Sequence, residues 1–152
     1  RKESILFSAG VHNEIATIDW VKKRAEHLAN NVVGPAVAKG KCVVAWGPLS
    51  TGTWALKGSG FVNNWLIQNA ARDEAKNEIM RREMLRVGAH WVDLFPLSQV
   101  LSTMQAQGHH MGDPIHFQNK PCIYNYFARL FVTAMNLYCG KGNQHHMNTK
   151  GK

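Results

Sequence analysis

In this 152-residue chain the segment whose residue types and spacing could do chemistry is Gly112-Asp113-Pro114-Ile115-His116-Phe117. Asp113 and His116 stand three residues apart, and a turn at Pro114 can bring them together. The carboxylate can then accept a hydrogen bond from one ring nitrogen, leaving the other to face a nucleophile. Such a pair fixes the imidazole tautomer and stabilises the imidazolium as it takes a proton. An Asp before Pro is also an ordinary turn former, so the spacing alone does not decide between the two roles. Ser8, at the end of an apolar run, is a rival nucleophile, but it lacks a Gly-x-Ser-x-Gly elbow. His109-His110 and His145-His146 are adjacent pairs with no Cys or carboxylate at ligand spacing, so no metal site is expected.

Elements must hold these residues, and the hydropathy pattern names them. Ser4 to Ser8 reads as a strand ending at Ala9-Gly10. A helix from about Glu14 to Val33 carries Ile18, Val21, Ala25, Leu28, Ala29 and Val32 as one stripe, and Gly34-Pro35 is expected to break it. Lys41 to Trp46 is a short β-branched run between Gly40 and Gly47, fitting a strand buried on both faces. Gly47 to Gly60 reads as a loop holding Ser50, Thr51 and Trp54. A long helix is predicted from Val62 to Val87, capped at Gly88, then a third strand over Ala89 to Phe95. A short helix over Leu97 to Gln107, a loop over Gly108 to Asn119 and a helix from Pro121 to Tyr138 follow. The last has the stripe Ile123, Phe127, Leu130, Phe131, Ala134 and Leu137.

Strand, helix, strand, helix, strand, helix, loop, helix is the alternation of a parallel sheet flanked by helices. In such sheets, sites collect at the carboxyl ends of the strands. Three segments point to that edge: Gly10-Val11-His12-Asn13, Gly47 to Gly60, and the loop with Asp113 and His116.

Asp113-Pro114-Ile115-His116-Phe117, just before the last helix, resembles the Asp-x-x-His block that closes the catalytic domain of SGNH hydrolases. Its Ile115-His116-Phe117 ending resembles the PC-esterase branch of glycan O-acyl esterases and acyltransferases. Ile5 to Asn13 is similar to the strand and Gly turn of the family's third block, and Trp91 to Phe95 to its late strand. The resemblance spans roughly Ser4 to Tyr138. It implies a three-layer αβα sandwich with a short parallel sheet, SGNH/flavodoxin-like, over residues 1–140, followed by a polar basic tail over 141–152. His116 would be the general base and Asp113 its orienter. The oxyanion donor would be Asn13, His12 or a backbone amide near Gly10, with Asn13 preferred, and Trp54 could stack on a sugar. The family's Gly-Asp-Ser nucleophile block is not in these residues, and Gly112-Asp113-Pro114 has proline where that serine would stand. The first strand or two and the serine are therefore expected upstream of Arg1.

Composition narrows the partners. The formal charge is +8, yet the clusters at Lys22-Lys23-Arg24 and Arg81-Arg82 alternate with Glu26, Asp73, Glu74, Glu78 and Glu83, as on solvated helix faces. No base-reading motif accompanies them, which argues against a nucleic-acid surface. No apolar run is long enough for a membrane span, and Ile5-Leu6-Phe7 is too short for a signal peptide. Cys42, Cys122 and Cys139 lack zinc spacing and are expected to be buried thiols, though in an oxidising compartment the odd number would leave one free or paired with a segment outside these residues. Asp93 is expected to be a structural hydrogen-bonder. The resemblance implies no cofactor, and a secretory or extracellular setting. The function it implies is part of a serine esterase or O-acyltransferase acting on acyl esters of a carbohydrate or small molecule. The alternative is an inactive SGNH-like structural or binding subunit, with a partner chain or upstream segment completing the fold.

Overall fold

The computed structural model describes residues 3–8, 17–47, 70–106 and 121–140. Three strands are β1 (Ser4–Ser8), β2 (Cys42–Trp46) and β3 (His90–Trp91). The helices are α1 (Ile18–Leu28), α2 (Gly34–Ala38), α3 (Ala70–Arg86), α4 (Phe95–Ala106) and α5 (Pro121–Cys139). The strands pair in the order β1-β2-β3, both ladders parallel, with Ser4 opposite Cys42, Ser8 opposite Trp46, and Ala45 opposite Trp91. The expected α/β class with a short parallel sheet is what these residues form.

Side chains alternate across a strand, so each face has its own set. Val43 and Ala45, with Ile5, Phe7 and Trp91, pack against Ala29, Val33, Met84 and Ala89. Val21, Ala25 and Met80 extend that packing between α1 and α3. The opposite face meets α5: Trp46 lies 5.3 Å from Phe131, and the His90 ring stacks on Tyr138 at 4.6 Å. Leu94 and Phe127 are the buried centre of a cluster on this side, with Val92, Leu97 and Leu130 around them.

The first helix differs from expectation at both ends. Thr17 is extended and its hydroxyl accepts from Trp20 N, so α1 starts at Ile18 rather than Glu14. Gly34-Pro35 does not end the helical path. Ala29–Val33 is a π-helical turn, Gly34 N–H reaches back five residues to Ala29 O, and Pro35 sits in the first turn of α2. The wider turn accommodates a proline that an unbroken α-helix would not. The extra residue also rotates the stripe: Val33 is 2% exposed, whereas Val32, expected inside, is 46% exposed.

Two helices stop by the same device just before a strand. Gly40 (φ 77°) and Gly88 (φ 83°) take the left-handed conformation that glycine tolerates best. At the second, Gly88 N donates to Leu85 O and Ala89 N to Met84 O, the paired bonds of a Schellman stop. The third strand is much shorter than Ala89 to Phe95. Val92 N still donates to Ala45 O, but the Asp93 carboxylate accepts from Phe95 N at 3.0 Å and turns the chain into α4. Pro96 then occupies the first turn of that helix, where a missing N–H costs nothing.

The cysteines also depart from the expected buried thiols. Cys42, first in β2, is disulfide-bonded to Cys139, last in α5, with Cα atoms 5.7 Å apart. The pairing follows from tertiary packing, because α5 crosses the sheet and brings its last residue to the start of the central strand. Its partners are 97 residues apart, and closing so long a loop constrains the denatured chain by about 4–5 kcal/mol on a chain-entropy model.

Gly47 is closely walled by side chains. A Cβ there would stand 2.8 Å from the Trp91 ring and closer still to Asn77 Oδ1. Gly47→Ala should therefore destabilise the protein by about 1–3 kcal/mol in urea unfolding, with an unchanged slope. His90 carries a second expectation. Burial lowers its pKa below 6.5, so the folded state binds fewer protons than the unfolded state. Stability should be unaffected by this group above pH 6.5 and should fall as the pH drops from there through the folded pKa. His90→Phe, which preserves a ring on Tyr138, should flatten that part of a stability–pH profile.

Candidate functional site

The parallel ladder puts the carboxyl ends of β1 and β2 side by side at Ser8 and Trp46. From these ends the chain enters the segments holding Gly10, His12 and Asn13, and then Trp54. Asp113 and His116 lie between α4 and α5. All six of these candidate residues fall outside the described residues, as do Ser50, Thr51 and the two histidine pairs. Ser8, the rival nucleophile, ends β1 with an exposed side chain.

What the described residues build at this edge comes mainly from α3. That helix runs antiparallel to β2: Asn77, midway along it, lies against Gly47, beyond the end of β2, while Val87 just past its end lies against Gly34. Its first turns therefore face the carboxyl edge of the sheet. Asp73, Lys76 and Asn77 sit there at 4%, 2% and 6% exposure. Lys76 Nζ is 3.9 Å from Asp73 Oδ1. Buried charges persist only when paired, and these two compensate each other. Asn77 Nδ2 donates to Asp93 Oδ1 at 3.3 Å, the same oxygen that accepts from Phe95 N. One carboxylate thereby ties α3, the exit of β3 and the start of α4. This agrees with a structural role for Asp93.

An open cleft of about 410 Å³ lies over this junction, lined by Glu74, Asn77, Glu78, Asp93, Phe95 and Pro96. Its carboxylates and amide could hydrogen-bond hydroxyl groups, and Phe95 and Pro96 supply an apolar wall. Arg81 grips Glu78 through two bonds of 2.7 and 2.8 Å and holds its carboxyl below the ordinary range. Glu78 is therefore suited to remaining charged, not to donating a proton. His90 stands on the α5 face of the sheet, away from this cleft. Among the described residues no group of His, Cys, Asp or Glu side chains could hold a metal ion.

Asp73 and Glu83 correct one expectation. The charge pattern predicts solvated helix faces for both, yet both are buried, Glu83 with Arg86 at 2.8 Å. The signal was present in the spacing: residues 73, 76, 77, 80 and 84 recur at helical steps, so the polar trio continues the stripe of Met80 and Met84. Charge type masked a period that the apolar residues alone made too short to notice.

No family model, curated protein or solved structure matches this chain. No helix among the described residues is long and apolar enough to cross a membrane.

Asp93→Ala removes both acceptor contacts while leaving the apolar packing. It should lower unfolding stability by about 1–3 kcal/mol, and Asn77→Ala in that background should cost little more. Fully additive losses in denaturant melts would mean that the two residues do not act through their mutual bond.

Proposed function

We propose that this chain is the C-terminal part of an SGNH-type αβα sandwich that cleaves or transfers acyl groups, with acetyl esters of a carbohydrate as the preferred substrate class. The observation that supports this reading is the parallel ladder β1-β2-β3, with Ser8 and Trp46 side by side. From that register, the chain leaves the same edge of the sheet at Ser8, ahead of Gly10 to Asn13 in sequence, and at Trp46, ahead of Trp54, and sites of parallel α/β folds gather at such an edge. Helices packing on both sheet faces through Met84 and Phe131 are compatible with the sandwich.

In this reading His116 removes the proton of a serine contributed by an upstream Gly-Asp-Ser segment, and Asp113 orients the imidazole. The serine oxygen attacks the ester carbonyl, Asn13 and nearby amides bind the oxyanion, and the sugar hydroxyl leaves with the proton from His116. Water or a second hydroxyl then takes the acyl group. The Cys42–Cys139 bond favours an oxidising compartment, in keeping with a secreted enzyme.

A second reading is a catalytically inactive relative that serves as a structural or binding subunit. It is favoured by the lack of any Gly-Asp-Ser in the 152 residues.

Fluorophosphonate labelling of the intact natural protein, followed by peptide mapping, separates the two. Label on an upstream Gly-Asp-Ser peptide is expected, together with release of acetate from an acetylated polysaccharide. His116→Ala should lower kcat by about 10³-fold or more while the circular dichroism spectrum is retained. Unlabelled, folded, full-length protein would favour the inactive subunit, and full activity in His116→Ala would remove that residue from the mechanism.

A further inference from the structure

The disulfide joins two parts of the molecule whose apolar packing is otherwise separate. On one side of the sheet, the packing of Met84, Val43 and Ala45 and that of Val21, Ala25 and Met80 share Phe7, Leu28 and Trp91, so they form one continuous core. The α5 side is built from Leu94 and Phe127 with Trp46, Val92, Leu97, Leu130 and Phe131, and has no residue in common with that core. Separate clusters of this kind are where cooperative units of local opening divide.

Helix α5 is also lightly held. Over residues 125–139 of this helix Phe127 and Ala134 are buried, while Tyr126, Val132 and Leu137 are largely exposed. Its C-terminal end rests on the stacked pair His90–Tyr138 and on the covalent bond to Cys42. Both cysteines are partly exposed rather than sealed in the core.

We propose that the Cys42–Cys139 bond is a redox latch for α5: its reduction releases α5 from the sheet while β1, β2, α1 and α3 stay folded. The chemistry balances with a dithiol as reductant. Its thiolate attacks one sulfur, the mixed disulfide resolves intramolecularly, and two electrons and two protons end on Cys42 and Cys139 as the dithiol becomes a cyclic disulfide. Release uncovers Trp46, His90 and Val92 on the face that α5 had covered. The latch does not rest on the esterase reading. Where that reading also holds, α5 is one of the two helices that bracket the Asp113–His116 segment, so turnover should fall with the same midpoint.

Hydrogen-exchange mass spectrometry of the full protein across a dithiothreitol titration tests the latch. Peptides covering 121–140 should exchange about tenfold faster or more once the bond is reduced, while those covering 18–46 and 70–91 keep their protection. The double variant Cys42→Ser/Cys139→Ser should show the reduced pattern with no response to reductant. Unchanged exchange in α5 after complete reduction would overturn the proposal. So would loss of protection in all segments together, because the bond would then hold the whole fold. If the double variant does not fold, the titration of the unaltered protein still decides. Loss of activity with α5 still protected would separate a failure of the latch from a failure of the esterase reading.

Discussion

A parallel strand paired on both edges has no face it can leave in water, and β2 is that strand here. All five residues Cys-Val-Val-Ala-Trp pair with β1, and Val44 and Ala45 also pair with β3. Val43, Val44 and Ala45 are all buried, so both faces must be covered at once. Everything around β2 answers that demand. Met84 and Ala29 close one face, Trp46 turns to Phe131 on the other, and the Schellman stops at Gly40 and Gly88 aim helices directly into strands. The π-helical turn belongs to the same set of solutions, because it keeps α1 and α2 continuous while delivering Val33 to the core.

The two faces are covered unequally. The α1–α3 side is a continuous apolar core with small residues at its crossing points, Ala25 and Ala29 among them. The α5 side relies on a smaller apolar cluster around Leu94 and Phe127, on ring contacts and on one covalent bond. A bond between elements 97 residues apart in sequence acts mainly through the denatured chain, and here it also joins the thinner layer to the central strand. Stability is thus distributed by layer, and a domain arranged in this way can open one side before the other.

At the carboxyl edge the fold accepts polar burial. Asp73, Lys76 and Asn77 occupy the inner stripe of α3 where the apolar pattern would call for a third Met-sized residue. Their cost is offset by mutual pairing and by the bond from Asn77 to Asp93. Gly47 leaves room for that amide against the end of β2. Polar groups with fixed partners at a strand exit give a rigid rim from which loops can depart, which a purely apolar rim would not orient.

Among the described residues, local pattern alone is enough for the type and order of the three strands and of the helices that follow them. Local periods of two and 3.6, the β-branched run at Val43-Val44, and the glycines at 40 and 88 act within a few residues and need no partner. They are enough for an α/β chain with a parallel sheet. The candidate site was legible only as motifs, Asp113 and His116 above all, because the proximity of side chains far apart in sequence is not a local property. Tertiary structure decided the rest. Whether Gly34-Pro35 breaks a helix depended on a turn that could widen. The length of β3 depended on whether Asp93 would spend its acceptor on Phe95 and Asn77. The pairing of Cys42 with Cys139, and the burial of Asp73 and Lys76, depended on which surfaces meet across the sheet. Burial and covalent pairing are properties of surfaces in contact, and a one-dimensional pattern carries them only when every residue on the stripe is apolar.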